Sequence, residues 1–159
     1  MQHPKTWWYR ILSRLFPGRC REIPEATNPD RILLRQFAII KKYVYLQQFA
    51  SGENPDWMHS HSWPRGTLAI GLWGSYNERR FAMSRHTRAP YIRRMGPDTI
   101  HQTLDPSKGH TSIFIGLGKK TDGLKRYFNA RAMLHTGEHE KYVHTKTWND
   151  HIQRKVKRI

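Results

Sequence analysis

The sequence contains a single cysteine, Cys20, in 159 residues. No disulfide can close within the chain, and a cysteine-rich zinc site is excluded. A reducing compartment fits that count. No apolar run approaches the roughly 18–20 residues that a membrane-spanning helix needs, so no transmembrane segment is expected. The N-terminus lacks the uninterrupted apolar stretch and small-residue cleavage site of a secretory leader. A cytoplasmic protein, not secreted by a signal peptide, is the simplest expectation. Internal repeats and low-complexity tracts are also missing. Acidic residues are scarce, with 12 Asp and Glu against 28 Lys and Arg, a formal charge of +16. Such an excess predicts an anionic partner: nucleic acid, phospholipid or an acidic protein surface.

The apolar share is low at 37%, but it is clustered enough to build one compact core, and this length predicts one domain. Residues 5–16 place Trp7, Trp8, Ile11, Leu12, Leu15 and Phe16 at helical spacing, with Lys5, Arg10 and Arg14 between them. Pro17-Gly18 stops the pattern. The result is an amphipathic helix too short to be stable alone, with its apolar side available to its own domain or to a docking partner. Residues 17–30, with Pro17, Gly18, Pro24, Asn28 and Pro29, read as a connection.

From residue 31 the texture is β. Strands are expected at 31–37, 42–50, 57–61, 67–74, 76–84, 89–95, 99–105, 111–118 and 124–134. A hairpin is expected around Gly74-Ser75. Short strands separated by turn signals indicate an all-β sandwich or barrel. The expected organisation is a helix and linker over 1–30, a β domain over 31–146, and a basic helix or tail over 147–159.

His59-Ser60-His61 is the most informative motif. On an extended strand, alternate side chains share a face, so the two imidazoles stand side by side. His101, from a neighbouring strand, would complete one face of a metal's coordination shell. Imidazole suits Fe, Mn, Ni or Zn.

The stretches HSHSWPRGTLAIGLWGSYNE, RAPYIRRMGPDTIHQTLD and HTSIFIGLGKK together resemble a family of small cupin-like proteins common in bacteriophage and prophage genomes. His59, His61 and Trp63 match that family's His-Asp-His-Pro-Trp element. Gly74, Ser75, Tyr76 and Glu78 match its Gly-Gly-Tyr strand end. His101 matches its third element, and Gly118, Lys119 and Lys120 its closing turn. The likeness spans about residues 32–128. It implies a cupin-like double-stranded β-helix barrel, a phage accessory or structural role, and a location in the infected host cell or the virion. It also implies His59, His61 and His101 as metal ligands. Ser60 stands where the family has Asp. Pro64 and Arg65 stand where many cupins carry a glutamate ligand, which leaves a three-histidine set like that of cupin-fold thiol dioxygenases. Arg65, Tyr76 and Glu78 would line the mouth of the barrel, Glu78 being the nearest carboxylate able to substitute for the missing one.

Arg79, Arg80, Arg85, Arg88, Arg93 and Arg94 cluster with Tyr76, Phe81 and Tyr91. Strand alternation is expected to send these aromatics inward and the arginines out to an anion. Lys119, Lys120 and the tail residues Lys155, Lys157 and Arg158 extend the basic surface. Gly116-Leu117-Gly118-Lys119-Lys120 lacks the four-residue gap of a phosphate-binding P-loop, and neither a nucleotide nor a flavin is expected. His135-Thr136-Gly137-Glu138-His139 spells an inverted-zincin string, but Gly137 weakens the helix that this chemistry needs, so a polar loop is expected. Two functions follow: a basic cupin-fold accessory protein that binds nucleic acid or an acidic protein surface and retains the metal site, or a mononuclear oxygenase or isomerase acting on a small anionic substrate.

Overall fold

A computed structural model describes residues 2–24, 30–53, 57–61, 63–80 and 83–120, together with two further strands at 126–129 and 143–144. The inverted-zincin string, Phe81 and the basic tail fall outside the described residues.

Helix α1 (Trp7–Leu15) is followed by one 3-10 turn (Pro17–Arg19) and then, among the described residues, by strands. The strands are β1 (Cys20–Pro24), β2 (Ile32–Ile40), β3 (Val44–Phe49), β4 (Trp57–His59), β5 (Thr67–Trp73), β6 (Ser75–Arg80), β7 (Met83–Arg88), β8 (Tyr91–Met95), β9 (His101–Leu104), β10 (Thr111–Gly116), β11 (Arg126–Asn129) and β12 (Val143–His144). They form two antiparallel six-stranded sheets. One has the order β1-β2-β3-β10-β5-β8, the other β12-β11-β4-β9-β6-β7. From β3 to β10 the chain changes sheet at every connection except the one joining β6 to β7. The all-β expectation is therefore met as two facing antiparallel sheets with one short helix among the described residues.

Three expectations need correction. Gly74 does not make a hairpin. It carries the chain from β5 in one sheet to β6 in the other, at φ 82°, where a side chain would meet Ser107 Oγ at 2.6 Å and the His110 Cα at 2.8 Å. A turn dipeptide marks a change of direction but not the sheet in which the next strand pairs. The real hairpin lies further on. The expected single strand at 76–84 divides into β6 and β7, which pair from Ser75 with Arg88 to Arg80 with Met83. Finally, the expected connection at 17–30 contains β1, an edge strand on β2. Its sequence, CREIP, has no apolar alternation. Pro24 is tolerated because it ends an edge strand.

Helix α1 packs through Tyr9, which is buried, while Trp7 is 74% exposed and Ile11 and Leu15 are also exposed. The expected apolar stripe is thus divided, with Trp8 and Leu12 half-buried and Trp7, Ile11 and Leu15 facing outward. The Trp8 indole N–H donates to Thr111 Oγ1 at 3.3 Å, and the Thr6 N–H donates to Gln48 Oε1 at 3.2 Å. These bonds tie the N-terminal segment over the outer face of the first sheet.

The interior between the sheets is more polar than a usual core. Tyr45, Trp63 and Phe114 form its apolar cluster. Beside them Gln36 donates to Gln47 at 3.2 Å, and Gln47 donates to Ser112 at 3.2 Å, all buried. Buried amides are tolerated because they bond to one another. The low apolar content of the sequence is accommodated in this way.

Candidate metal centre

Strand β4 ends at His59, His61 follows two residues on, and both imidazoles are buried. The Cα partner of His59 across the ladder is His101, the first residue of β9. Directly opposed residues in an antiparallel pair share a face. The three histidines therefore converge, at 9%, 8% and 6% exposure for His59, His61 and His101. One ligand nitrogen from each lies within 4.8 Å of the others. The ring centroids are 5.3 Å apart for His59 and His61, 4.8 Å for His59 and His101, and 4.9 Å for His61 and His101. His61 Nε2 and His101 Nε2 are 2.8 Å apart.

Two carboxylates stand behind the rings. His59 Nδ1 is 3.4 Å from Glu53 Oε1, and Glu53 Oε2 accepts the Thr103 N–H at 2.8 Å. His101 Nδ1 is 3.3 Å from Glu78 Oε1. A carboxylate close to Nδ1 favours the proton on that nitrogen, and the tautomer protonated there has Nε2 as its electron-pair donor. This is the arrangement that orients histidine ligands around metals in general. Burial pushes the Glu53 carboxyl up, but the His59 imidazole beside it, aided by His101 and the Thr103 N–H, outweighs burial and holds it below the usual carboxylate range.

Glu78 is almost wholly buried and carries three partners. Its Oε1 accepts from Arg80 Nε at 2.9 Å, its Oε2 pairs with Arg93 Nη1, and His101 completes the set. Burying a carboxylate with two guanidinium groups offsets its desolvation. Arg93 comes from β8 in the opposite sheet, so this ion pair also ties the two sheets together.

The aromatic wall follows from one glycine. Trp63 lies against Gly116 so closely that a side chain there would overlap the indole ring. Trp63 packs on Phe114 at 5.2 Å, Phe114 on His61 at 5.5 Å, and the indole N–H donates to the Lys42 carbonyl at 3.3 Å.

The structure brings together His59, His61 and His101, with the Glu78 carboxylate beside His101. Tyr76 is buried against Phe49, Tyr91 and His110, and its hydroxyl accepts from Arg93 at 3.4 Å. Arg65 is exposed, next to Gly118. Arg85, Arg88, Arg94, Lys119 and Lys120 are exposed, and Arg79 is half-buried. Lys120 sits 5.9 Å over the Trp63 ring. Arg93 departs from the outward expectation. Its side chain is 12% exposed and turned inward, because Glu78 on the facing sheet needs a counter-charge. Lys155, Lys157 and Arg158 lie outside the described residues.

Glu53 was not legible from sequence, since its contact with His59 depends on how the loop after β3 folds. That loop is pinned to β9 by the Glu53 N–H donating to the Thr103 carbonyl at 2.8 Å. His110 is also wholly buried, in a segment expected to be a turn; Tyr91 Oη lies 3.2 Å from its Nε2. Gly118, at φ 86°, makes the turn after β10.

No helix among the described residues is long and apolar enough to cross a membrane. No protein-family model matches the chain, and no curated protein matches it at a significant level.

Proposed function

We propose that this protein is a metal-binding protein of the cupin type, with His59, His61 and His101 holding one divalent transition metal. The carrying observation is the convergence of three buried imidazoles, two of them backed by carboxylates at Nδ1. The donor set fits such an ion. Neutral nitrogens suit Fe, Mn, Ni or Zn, and the nearby carboxylates raise ligand basicity. The strand orders β3-β10-β5-β8 and β4-β9-β6-β7 support the cupin reading, because they describe two interleaved Greek keys.

When bound, a metal held by three protein ligands supplies a Lewis acid with room for a further ligand. The chain's own residues do the rest. Glu53 and Glu78 fix the tautomers of His59 and His101, while Phe114 and Trp63 cover His61 with apolar surface. The enzyme reading, an oxygenase or isomerase, rests on this site alone. The accessory reading from the phage-family resemblance uses the same site as a structural clip.

Metal analysis of protein purified without chelator or a metal-affinity tag tests the proposal. One ion per chain is expected, falling to background in His61→Ala and His101→Ala. Wild-type protein that stays empty after reconstitution with Fe, Mn, Ni and Zn would refute it.

A second reading concerns the charge. The edge strand β7 exposes Arg85, His86 and Arg88, and phosphate backbones bind to basic edges of this kind. Binding to DNA or RNA should weaken linearly in log–log salt titrations. Negligible binding at low salt would remove this reading.

A further inference from the structure

We propose that Arg80 anchors a small carboxylate-bearing ligand at the histidine site. The inference rests on the metal-centre reading for its location, but it concerns a residue outside the ligand set.

Arg80 is the last residue of β6, and its Cα partner across the ladder is His101. His101 in turn faces His59. Arg80, His101 and His59 thus form one row on one face of the sheet, with neighbouring Cβ atoms about 5 Å apart. Only Nε of the guanidinium is committed, to Glu78 Oε1 at 2.9 Å. That same oxygen lies 3.3 Å from His101 Nδ1. The guanidinium is therefore bonded to the same carboxylate oxygen that stands beside the imidazole. Its two Nη groups have no partner among the described residues.

Arg93, the other arginine on Glu78, is different. Its Nη1 meets Glu78, the Tyr76 hydroxyl and Thr87 Oγ1, and its side chain is 12% exposed. The Arg80 side chain is 34% exposed, so solvent reaches the uncommitted end. The two guanidinium groups balance the carboxylates of Glu78 and Glu53, so a bound divalent metal would leave the spot positive. A guanidinium fork matches the two oxygens of a carboxylate. A phosphate is the competing anion, and the comparison below separates it from a carboxylate.

The test is a titration of isotope-labelled protein, with and without zinc, followed by NMR of the Arg80, His101 and Gln102 amides. Acetate is the probe, with acetamide and inorganic phosphate as comparisons. Saturable shifts with acetate are expected, and none with acetamide. The half-saturation point should rise at least tenfold in Arg80→Gln and a few-fold in Arg80→Lys, which keeps the charge but loses the fork. Arg94→Gln, on the outer face of the other sheet, should titrate as wild type. Unchanged acetate titration in Arg80→Gln, or no saturable shift in wild type, overturns the proposal. Phosphate binding more tightly than acetate overturns the carboxylate assignment. Failure of zinc to bind sinks the metal reading, while the acetate arm on metal-free protein still decides the role of Arg80.

Discussion

Glu78 Oε1 lies 3.3 Å from His101 Nδ1, and the same carboxylate is paired with Arg93 from the facing sheet. One buried acid therefore stands beside a site imidazole and joins the two layers of the fold. The site and the packing of the sheets share a residue.

Glu78→Gln should separate these two roles. The amide keeps an acceptor but loses the charge that fixes the His101 tautomer. Metal affinity, measured by competition with a chromogenic chelator, should fall about 10–100-fold, as for orienting groups at other metal centres. The metal-free variant should also lose about 3–5 kcal/mol in urea denaturation, because Arg93 is left without its counter-charge inside the protein. Unchanged affinity would show that Glu78 does not orient His101.

Gly116→Ala should destabilise the fold by about 1–3 kcal/mol, the usual cost of overpacking a well-filled interior. The added methyl group would force the Trp63 indole away from β10 and off the Lys42 carbonyl. Equilibrium denaturation gives the energy, and a shift in tryptophan emission reports the displaced ring. A neutral outcome would mean that Trp63 does not rest on the strand.

The histidine pair was legible because strand periodicity is strict: two residues apart means one face. That His101 would meet the pair followed from a likeness between motifs, and the ladder partner His59 supplies the physical basis. Most strands were legible for the same reason, from their aliphatic and aromatic runs. The failures share a cause. Gly74 announces a turn, but whether the chain re-enters the same sheet is decided by packing against Ser107 and His110. Strand β1 has no apolar rhythm because neither of its faces is buried, all five residues being half-buried or exposed. The inward turn of Arg93 depends on a carboxylate in the other sheet, and Glu53 on a loop conformation. Neither leaves a periodic trace.

His110 gives the fold a pH dependence. Burial alone lowers its pKa from 6.5 to about 4. The unfolded chain therefore takes up a proton first as pH falls. The stability from keeping this imidazole neutral is complete above about pH 6.5 and is lost between there and about pH 4, a total of about 3 kcal/mol. Urea denaturation of wild type and His110→Asn at pH 7.5 and pH 5 should show the smaller pH dependence in the variant. Equal pH dependence in both would contradict the burial of a neutral His110.

Diffraction data collected at the absorption edge of the reconstituted metal would locate the ion among the three imidazoles. One anomalous peak per chain is expected, bounded by His59, His61 and His101, within about 2.0–2.3 Å of a nitrogen from each ring. A map with no peak among these imidazoles in metal-loaded crystals, or a peak held by other residues, would contradict the three-histidine metal centre.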